Sequence, residues 1–404
     1  MNTPVAGIVA EYNPLHRGHT HHLRKTRELC GAEAVVVVLS SDFVQRGEPA
    51  LLDKRSRAEM ALDSGADLVL ELPVVFSAHN AGVFANAAVD ILGSTGIVTH
   101  LSFGLESPSW QMDKIVSILT EEPEPFKFCL KQYLSEGFSF VEARSLALDS
   151  IVPGSADKLR GSNNNLALAY MMRISQKKWE MAPVRVQRIG SNYHDKNMAE
   201  YASATAIRKA LSDGRTEDAL SQLPPPSSSI IGREMAAGHI FTGCRNFWNI
   251  LRSALIRATP GEISRCAEME EGIEHRLRDA AFSCGSFEEW ASLCASKRYP
   301  RGRIQRHGIH FLIGLEHWTN RAFQRIGPAY IRVLGMNPTG RKLLRIMRTK
   351  AALPVITRCG EAASISRYAG RMMDYECLGA ELWQQIIPCG SYGKEHARKV
   401  IIRE

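Results

Sequence analysis

Paired cysteines are missing from this 404-residue chain. Its nine cysteines fall singly between Cys30 and Cys389, with no Cys-x2-Cys or Cys-x4-Cys spacing. That argues against a structural zinc site and a disulfide framework, and for a reducing cytoplasm. No apolar run approaches the roughly 20 residues of a membrane span. The longest, AVVVVL at 34–39, has the length of a strand, so no membrane association is expected. The first residues carry a proline and polar side chains where a secretory leader has a basic start and an apolar stretch. A Gly-Lys-Ser/Thr Walker loop is also absent, which excludes P-loop chemistry. Acid is scarce in one region: from Lys297 to Lys350 there are 13 basic residues and one acidic one, Glu316.

That scarcity points to a partner. Residues 230–404 hold 27 Lys plus Arg against 16 Asp plus Glu, while residues 1–229 hold 23 against 26. A surface helix ordinarily mixes its signs; a field this one-sided attracts polyanions, nucleic acid first.

The first half alternates two kinds of segment. VAGIVA (5–10), AVVVVLSS (34–41), ADLVLELP (66–73), VTHLSFG (98–104) and APVRVQRIG (182–190) read as strands. The segments from about Gly18 to Leu29, Asp53 to Ser64 and Ser77 to Leu92 read as helices. Continuous apolar strands separated by amphipathic stretches predict a parallel sheet covered on both faces, an α/β fold. Loops at 11–18, 42–50 and 104–108 then lie at the carboxyl ends of strands, where open α/β sheets bind ligands. SQLPPPSSS (221–229) reads as a linker. Beyond it CRNFWNILRSALIRA and GRKLLRIMRTKAA are helical. The expected layout is a catalytic domain over 1–222 and a basic, mainly helical domain over 230–404.

At the end of the first strand, AEYNPLHRGHTHH crowds four histidines around one glycine. A metal site is disfavoured because Gly18 interrupts the helical register of His16 and His19, and no His-Glu-x-x-His pattern occurs. A phosphate site explains more. A helix beginning near Gly18 points unpaired N–H groups into the crevice, glycine admits close approach, and imidazole N–H groups donate to oxygen. Far downstream Ser203-Ala-Thr205-Ala-Ile-Arg208 opens a second helix, with Ser203 or Thr205 as cap and Arg208 in its first turn.

His16-Arg17-Gly18-His19 resembles the His-x-Gly-His signature of the nucleotidylyltransferase superfamily, whose fold is a Rossmann-like sheet. The Ser-x-Thr-x-Ile-Arg segment resembles that superfamily's second phosphate motif. VAEYNPLHRGHTHH, SDFVQRGEPALLDK, ADLVLELP, HLSFGLES, NNNLALAYMM, QRIGSNYHD, KRYPRGRIQRHGIHFLIGL and YIRVLGMNPTGRKLL together resemble the tRNA(Met) cytidine acetate ligase family. The resemblance spans nearly the whole chain. It implies an enzyme that activates acetate with ATP as acetyl-adenylate. The acetyl group then passes to N4 of the wobble cytidine (position 34) of elongator tRNA(Met), with AMP and pyrophosphate released.

The resemblance also implies site residues. ATP is expected on Val9, Ala10, Glu11, Tyr12, Asn13, Pro14, Leu15, His16, Arg17, Gly18, His19, Thr20, His21 and His22, with His16 and His19 catalytic at the phosphates. Gly104, one of Asn163 and Asn164, Arg188, Ser203, Thr205 and Arg208 complete the set. The register at Asn163/Asn164 is open by one residue, because this chain reads Asn-Asn-Asn-Leu-Ala where the family form resembles Asn-Asn-Ile-Leu-Gly. Mg2+ is expected with ATP, although no carboxylate cluster announces its ligands. Asp42, Gln45, Arg46 and Lys54 are open between acetate, phosphate, RNA and surface salt bridges. Transfer RNA is expected on Arg301, Arg303, Arg306, Arg341, Lys342 and Arg345. Tyr299, His307 and Trp318 either stack on splayed bases or belong to the core. The alternatives are a small-molecule adenylyltransferase, which has no need of the basic half, and a catalytically inactive RNA-binding protein.

Overall fold

Five apolar segments form the strands that their composition predicts. In the computed structural model, which describes residues 3–106, 111–159, 161–188, 202–270 and 272–404, these are β1 (Val5–Ala10), β2 (Ala34–Ser40), β3 (Leu68–Leu72), β4 (His100–Leu105) and β5 (Ala182–Gln187). All five run parallel, in the order β3-β2-β1-β4-β5. Side chains alternate across the sheet: Val36 and Val38 pack on one face, Val35, Val37 and Leu39 on the other. The helices between the strands include α1 (Arg17–Cys30), α2 (Lys54–Asp63), α3 (Ala81–Ser94) and α4 (Ser162–Lys177). Residues 107–108 of the expected loop and residues 189–195 of QRIGSNYHD lie outside the described residues.

The second half does not stand apart. After α5 (Ala204–Ser212), the proline-rich segment expected as a linker starts a helix, α6 (Pro225–Ala236). Proline at the first helical positions lacks only an N–H that would have no partner there, and its φ is already helical. The chain continues through α7 (Arg245–Arg257), α8 (Arg301–Leu312) and α9 (His317–Ile326). It then enters the same sheet as β6 (Ile331–Met336), antiparallel to β3. Helix α10 (Pro338–Lys350), strand β7 (Val355–Ile356), helix α11 (Arg367–Ile386) and strand β8 (Ile401–Ile402) follow, with β7 and β8 both paired to β6. Among the described residues the sheet is therefore mixed, with eight strands. One apolar core runs from Val36 and Leu70 to Trp248, Trp290 and Trp383, across the boundary expected at 222–230.

A buried ionic cluster joins the halves. Lys54 Nζ lies 2.9 Å from Glu71, 2.5 Å from Glu376, 3.1 Å from Glu395 and 3.8 Å from Asp42. Arg332, fully buried in β6, pairs with Glu71 at 3.0 Å and Glu395 at 2.7 Å. Asp42 and Lys54 are thus interior residues, not surface ones, and neither lines the cavity beyond the carboxyl end of β1. Among the described residues no helix is long and apolar enough to cross a membrane.

Helices α8 and α9 dock at the carboxyl end of β3 through two fully buried histidines. His310 Nε2 donates to the Ala78 carbonyl (2.9 Å), and its Nδ1 has no partner. His79 Nδ1 accepts the Asn80 N–H (2.9 Å). Burial pushes both pKa values from 6.5 to about 3. The unfolded chain protonates these rings near pH 6.5, and the folded one does not until about 3. Stability is therefore full above pH 6.5 and falls as pH drops through that window, by about 2.7 kcal/mol per unit for two such groups. Urea unfolding at pH 7, 6, 5 and 4.5 tests this; His310→Gln, uncharged at every pH, is expected to reduce the slope by about 1.4 kcal/mol per pH unit.

Candidate active site

The first strand delivers its chain into a cavity at the carboxyl edge of the sheet. Beyond Ala10 the backbone reverses at Tyr12 (φ 46°) and the cis Asn13–Pro14 peptide, then enters α1 with His16 as N-cap. Two histidines make that cap. His16 Nδ1 accepts the Gly18 N–H (3.1 Å), and His19 Nδ1 accepts the His16 N–H (3.2 Å). The rings stack 3.8 Å apart, and Tyr12 meets His19 edge-on at 5.0 Å. With both Nδ1 atoms accepting, each neutral ring carries its proton on Nε2 and offers it as a donor. Burial, with help from Arg188, lowers His16 to about 4; His19 is held well below its usual value by burial, His16 and Arg188. A Cβ on Gly18 would stand 2.9 Å from His16 Cε1, so the glycine is what lets that ring lie across the helix end. His22 Nε2 meets Ser102 Oγ at 2.9 Å and is likewise lowered to about 4, chiefly by burial.

Three guanidinium groups line the same cavity as these imidazoles. Arg208, on the second turn of α5, donates to the Asn13 carbonyl (2.8 Å) and so ties the two sequence motifs together. Ser203 caps α5 by accepting the Ala206 N–H, and Thr205 lines the cavity. Arg188 leaves β5 and lies over Gly104, where a Cβ would meet its Cγ at 3.0 Å. Its Nη1 donates to Asn163 Oδ1 (3.0 Å), whose amide in turn donates to Glu106 (3.1 Å). Arg46, exposed at the cavity mouth, belongs to the tight hairpin Phe43–Val44/Glu48–Pro49. That hairpin rests on α8: Gln305 donates to Glu48 (3.1 Å), and a Cβ on Gly47 (φ 76°) would lie 2.4 Å from the Arg306 nitrogen.

The cavity encloses about 270 Å³. Of the expected nucleotide residues it is lined by Val9, Ala10, Glu11, Tyr12, Asn13, His16, Gly18, His19, His21, His22, Gly104, Asn163, Arg188, Thr205 and Arg208. Pro14 and Leu15 are buried beneath it, Arg17 turns away to the Ser221 carbonyl (2.9 Å), and Thr20 is not in the lining. Asn164 is buried, donating to the Lys158 carbonyl (2.9 Å), so the register question resolves toward Asn163 as the cavity residue. Gln45 and Arg46 line the mouth. Sequence reasoning missed an apolar wall of Phe84, Phe103, Leu166 and Tyr170. Phe103 adjoins Gly104, a usable signal; Phe84 and Tyr170 sit on helices where an aromatic reads as core.

The expected RNA residues fall at two opposite edges. Arg301, Arg303 and Arg306 are on α8, beside the hairpin at the carboxyl edge. Arg303 covers the buried Tyr299 ring at 4.6 Å and pairs with Glu270 at 3.5 Å; Arg306 is half-buried with Nη1 3.5 Å from the Gln45 carbonyl. Arg341, Lys342 and Arg345 are exposed on α10. That helix begins at Asp67, ahead of β3, and ends against Ser94 and Gly96, ahead of β4. It therefore lies across the amino edge, one strand length or about 20 Å from the cavity side. Tyr299 and His307 are buried, whereas Trp318 is 78% exposed.

A Rossmann-like sheet with stacked, neutral imidazoles at the first helix end and arginines converging on them defines a nucleotidyl transferase. Residues 3–398 match the family model described as HIGH Nucleotidyl Transferase. The tRNA(Met) cytidine acetate ligase of Syntrophomonas wolfei is 36% identical over 395 residues, 95% of each chain. That of Acetivibrio thermocellus is 33% identical over 412 residues, 98% of this chain and 99% of its own. Among solved structures, Thermotoga maritima TmcAL bound with alpha-thio ATP superposes with a TM-score of 0.93 at 30% identity, covering 99% of both chains. This chain belongs to the tRNA(Met) cytidine acetate ligase family.

Proposed function

We propose that the chain is a cytoplasmic ATP-dependent ligase that acetylates N4 of the wobble cytidine of elongator tRNA(Met). The observation that carries this reading is the pair of Nε2 donors of His16 and His19 facing Arg188 and Arg208 in one cavity. An acetate oxygen attacks the α-phosphorus of ATP, the bond to the β-phosphate oxygen breaks, and pyrophosphate leaves. The imidazoles hydrogen-bond the phosphate oxygens as charge builds there, and the guanidinium groups hold the departing pyrophosphate. The cytidine amine then attacks the acetyl carbon, AMP departs, and the amine gives up a proton.

Magnesium has no dedicated place among these residues. The cavity carboxylates, Glu11 and Glu48, already accept from the Gln45 N–H (2.9 Å) and the Gln305 amide (3.1 Å). Mg2+ accordingly enters bound to ATP phosphates and water, and no step is assigned to a protein-held ion. Acetate-dependent exchange of labelled pyrophosphate into ATP, without RNA, is the expected result. Exchange indifferent to acetate returns the assignment to a plain adenylyltransferase.

For the anticodon arm the reading favours the carboxyl edge, with Arg301 and the exposed Trp318 as contacts. The amino-edge helix α10 would meet a distant part of the same tRNA. Arg341→Glu with Arg345→Glu is then expected to weaken binding of full-length tRNA and flatten its salt dependence by about two phosphate contacts. Binding of an isolated anticodon stem-loop should stay unchanged. Equal loss for both RNAs in a filter-binding titration would place the anticodon on α10 instead.

A further inference from the structure

Three residues remote in sequence converge where the C-terminal tail crosses α11. Cys359 precedes the short helix Glu361–Ile365, Cys377 lies within α11, and His396 sits on the 3-10 turn Glu395–Ala397. One ligand atom from each lies within 4.8 Å of the others. We propose that Cys359, Cys377 and His396 bind a soft divalent cation, Zn2+, which clamps the tail to α11.

The donor set selects the metal. Two thiolates and an imidazole suit Zn2+, whereas Mg2+ and Ca2+ take oxygen. In a tetrahedral site with Zn–S near 2.3 Å the sulfurs stand about 3.7 Å apart, a separation compatible with the observed cluster. Both cysteines are buried and His396 is exposed, so the fourth position opens toward solvent and suits water. Charge agrees as well. The nearby cations Arg332 and Lys54 are already engaged by Glu71 and Glu395, so two buried thiolates would have no cation of their own; Zn2+ supplies it. In the thiol form Cys359 Sγ donates to the Glu395 carbonyl (3.4 Å), a bond the metal-bound thiolate exchanges for Zn2+, and the ligand His396 directly follows Glu395, whose carboxylate reaches Lys54 and Arg332. The clamp therefore holds Glu395 in the ionic cluster that joins the two halves. A structural zinc site is missed by any search for paired Cys-x2-Cys, because here the ligands come from three separate segments.

The test uses the full-length protein, stripped with a chelator under reducing conditions and titrated with Co2+ and then Zn2+. Expected are one metal per chain, a thiolate-to-cobalt charge-transfer band displaced by Zn2+, and a melting temperature that rises with metal concentration. Cys377→Ser should remove the band. His396→Ala, at an exposed position that leaves folding intact, should weaken binding and alter the band. Absence of metal binding in the parent protein overturns the proposal. So does an unchanged spectrum in both variants, or a Cys359–Cys377 disulfide found by mass spectrometry in protein isolated under reducing conditions.

Discussion

His19→Ala is expected to lower acetate-dependent pyrophosphate release by about 10²–10³-fold, the usual cost of losing one preorganised donor to a developing charge. Affinity for tRNA should stay unchanged. The substitution has two separable consequences. It removes the Nε2 donor from the cavity, and it removes the Nδ1 acceptor that caps the His16 N–H. The second should cost about 1 kcal/mol of stability, as for other lost caps. His19→Asn distinguishes them. Its amide oxygen stands near the old Nδ1 position and restores the cap, but nothing reaches the old Nε2 position. Stability by urea unfolding should recover while pyrophosphate release stays low. If activity returned with the cap, His19 would be a positioning residue, and the phosphate role would rest on His16 alone.

The largest loss of stability is expected from Lys54→Met. Removing the ammonium leaves Asp42 and Glu376 around an apolar side chain and Glu71 and Glu395 with Arg332 as their shared cation, and breaking a buried ion pair from one side costs about 3–5 kcal/mol. That is a large share of the roughly 5–15 kcal/mol that holds a typical protein folded. The deficit also has a pH sign. Without Lys54 the Asp42 and Glu376 carboxyls, already raised by burial, lose a cation that lowers them and rise further, so the folded state binds more protons than the unfolded one above pH 4.5. Stability relative to the parent should then worsen as pH rises, and be mildest near pH 5. Glu376 already leans this way; burial and the neighbouring Glu71 lift it to about 8. Urea unfolding at pH 5.5 and 8 reads both effects. A Lys54→Met protein as stable as its parent would mean that the ionic cluster does not bind the two halves together.

Much of this architecture is legible in the chain, and the exceptions share a cause. Strands such as AVVVVLS announce themselves because they are buried on both faces, so their apolar run is unbroken. Strand β6 hides because Arg332 interrupts it. Its partners, Glu71 and Glu395, come from segments far away, and no local pattern reports a charge neutralised at long range. Asp42 and Lys54 mislead for the same reason. The prolines of SQLPPPSSS, expected as a linker, begin a helix that packs instead. At the site, the two motifs that meet in the cavity, His16–His19 and Ser203–Arg208, are legible because each is written in consecutive residues. The apolar wall of Phe84, Phe103 and Tyr170 is not, since an aromatic side chain looks alike in sequence whether it faces a core or a cavity. Composition likewise locates the basic helices without saying which edge each one faces, and α8 and α10 prove to face opposite ones.

The most direct measurement follows labelled acetate into RNA. Purified protein with ATP and Mg2+ receives elongator tRNA(Met), initiator tRNA, or elongator tRNA with His16→Ala protein. The account predicts label in the elongator tRNA alone, lost in the variant, and recovered as N4-acetylcytidine after nuclease digestion. Label in both tRNAs, or undiminished labelling by the variant, would contradict it.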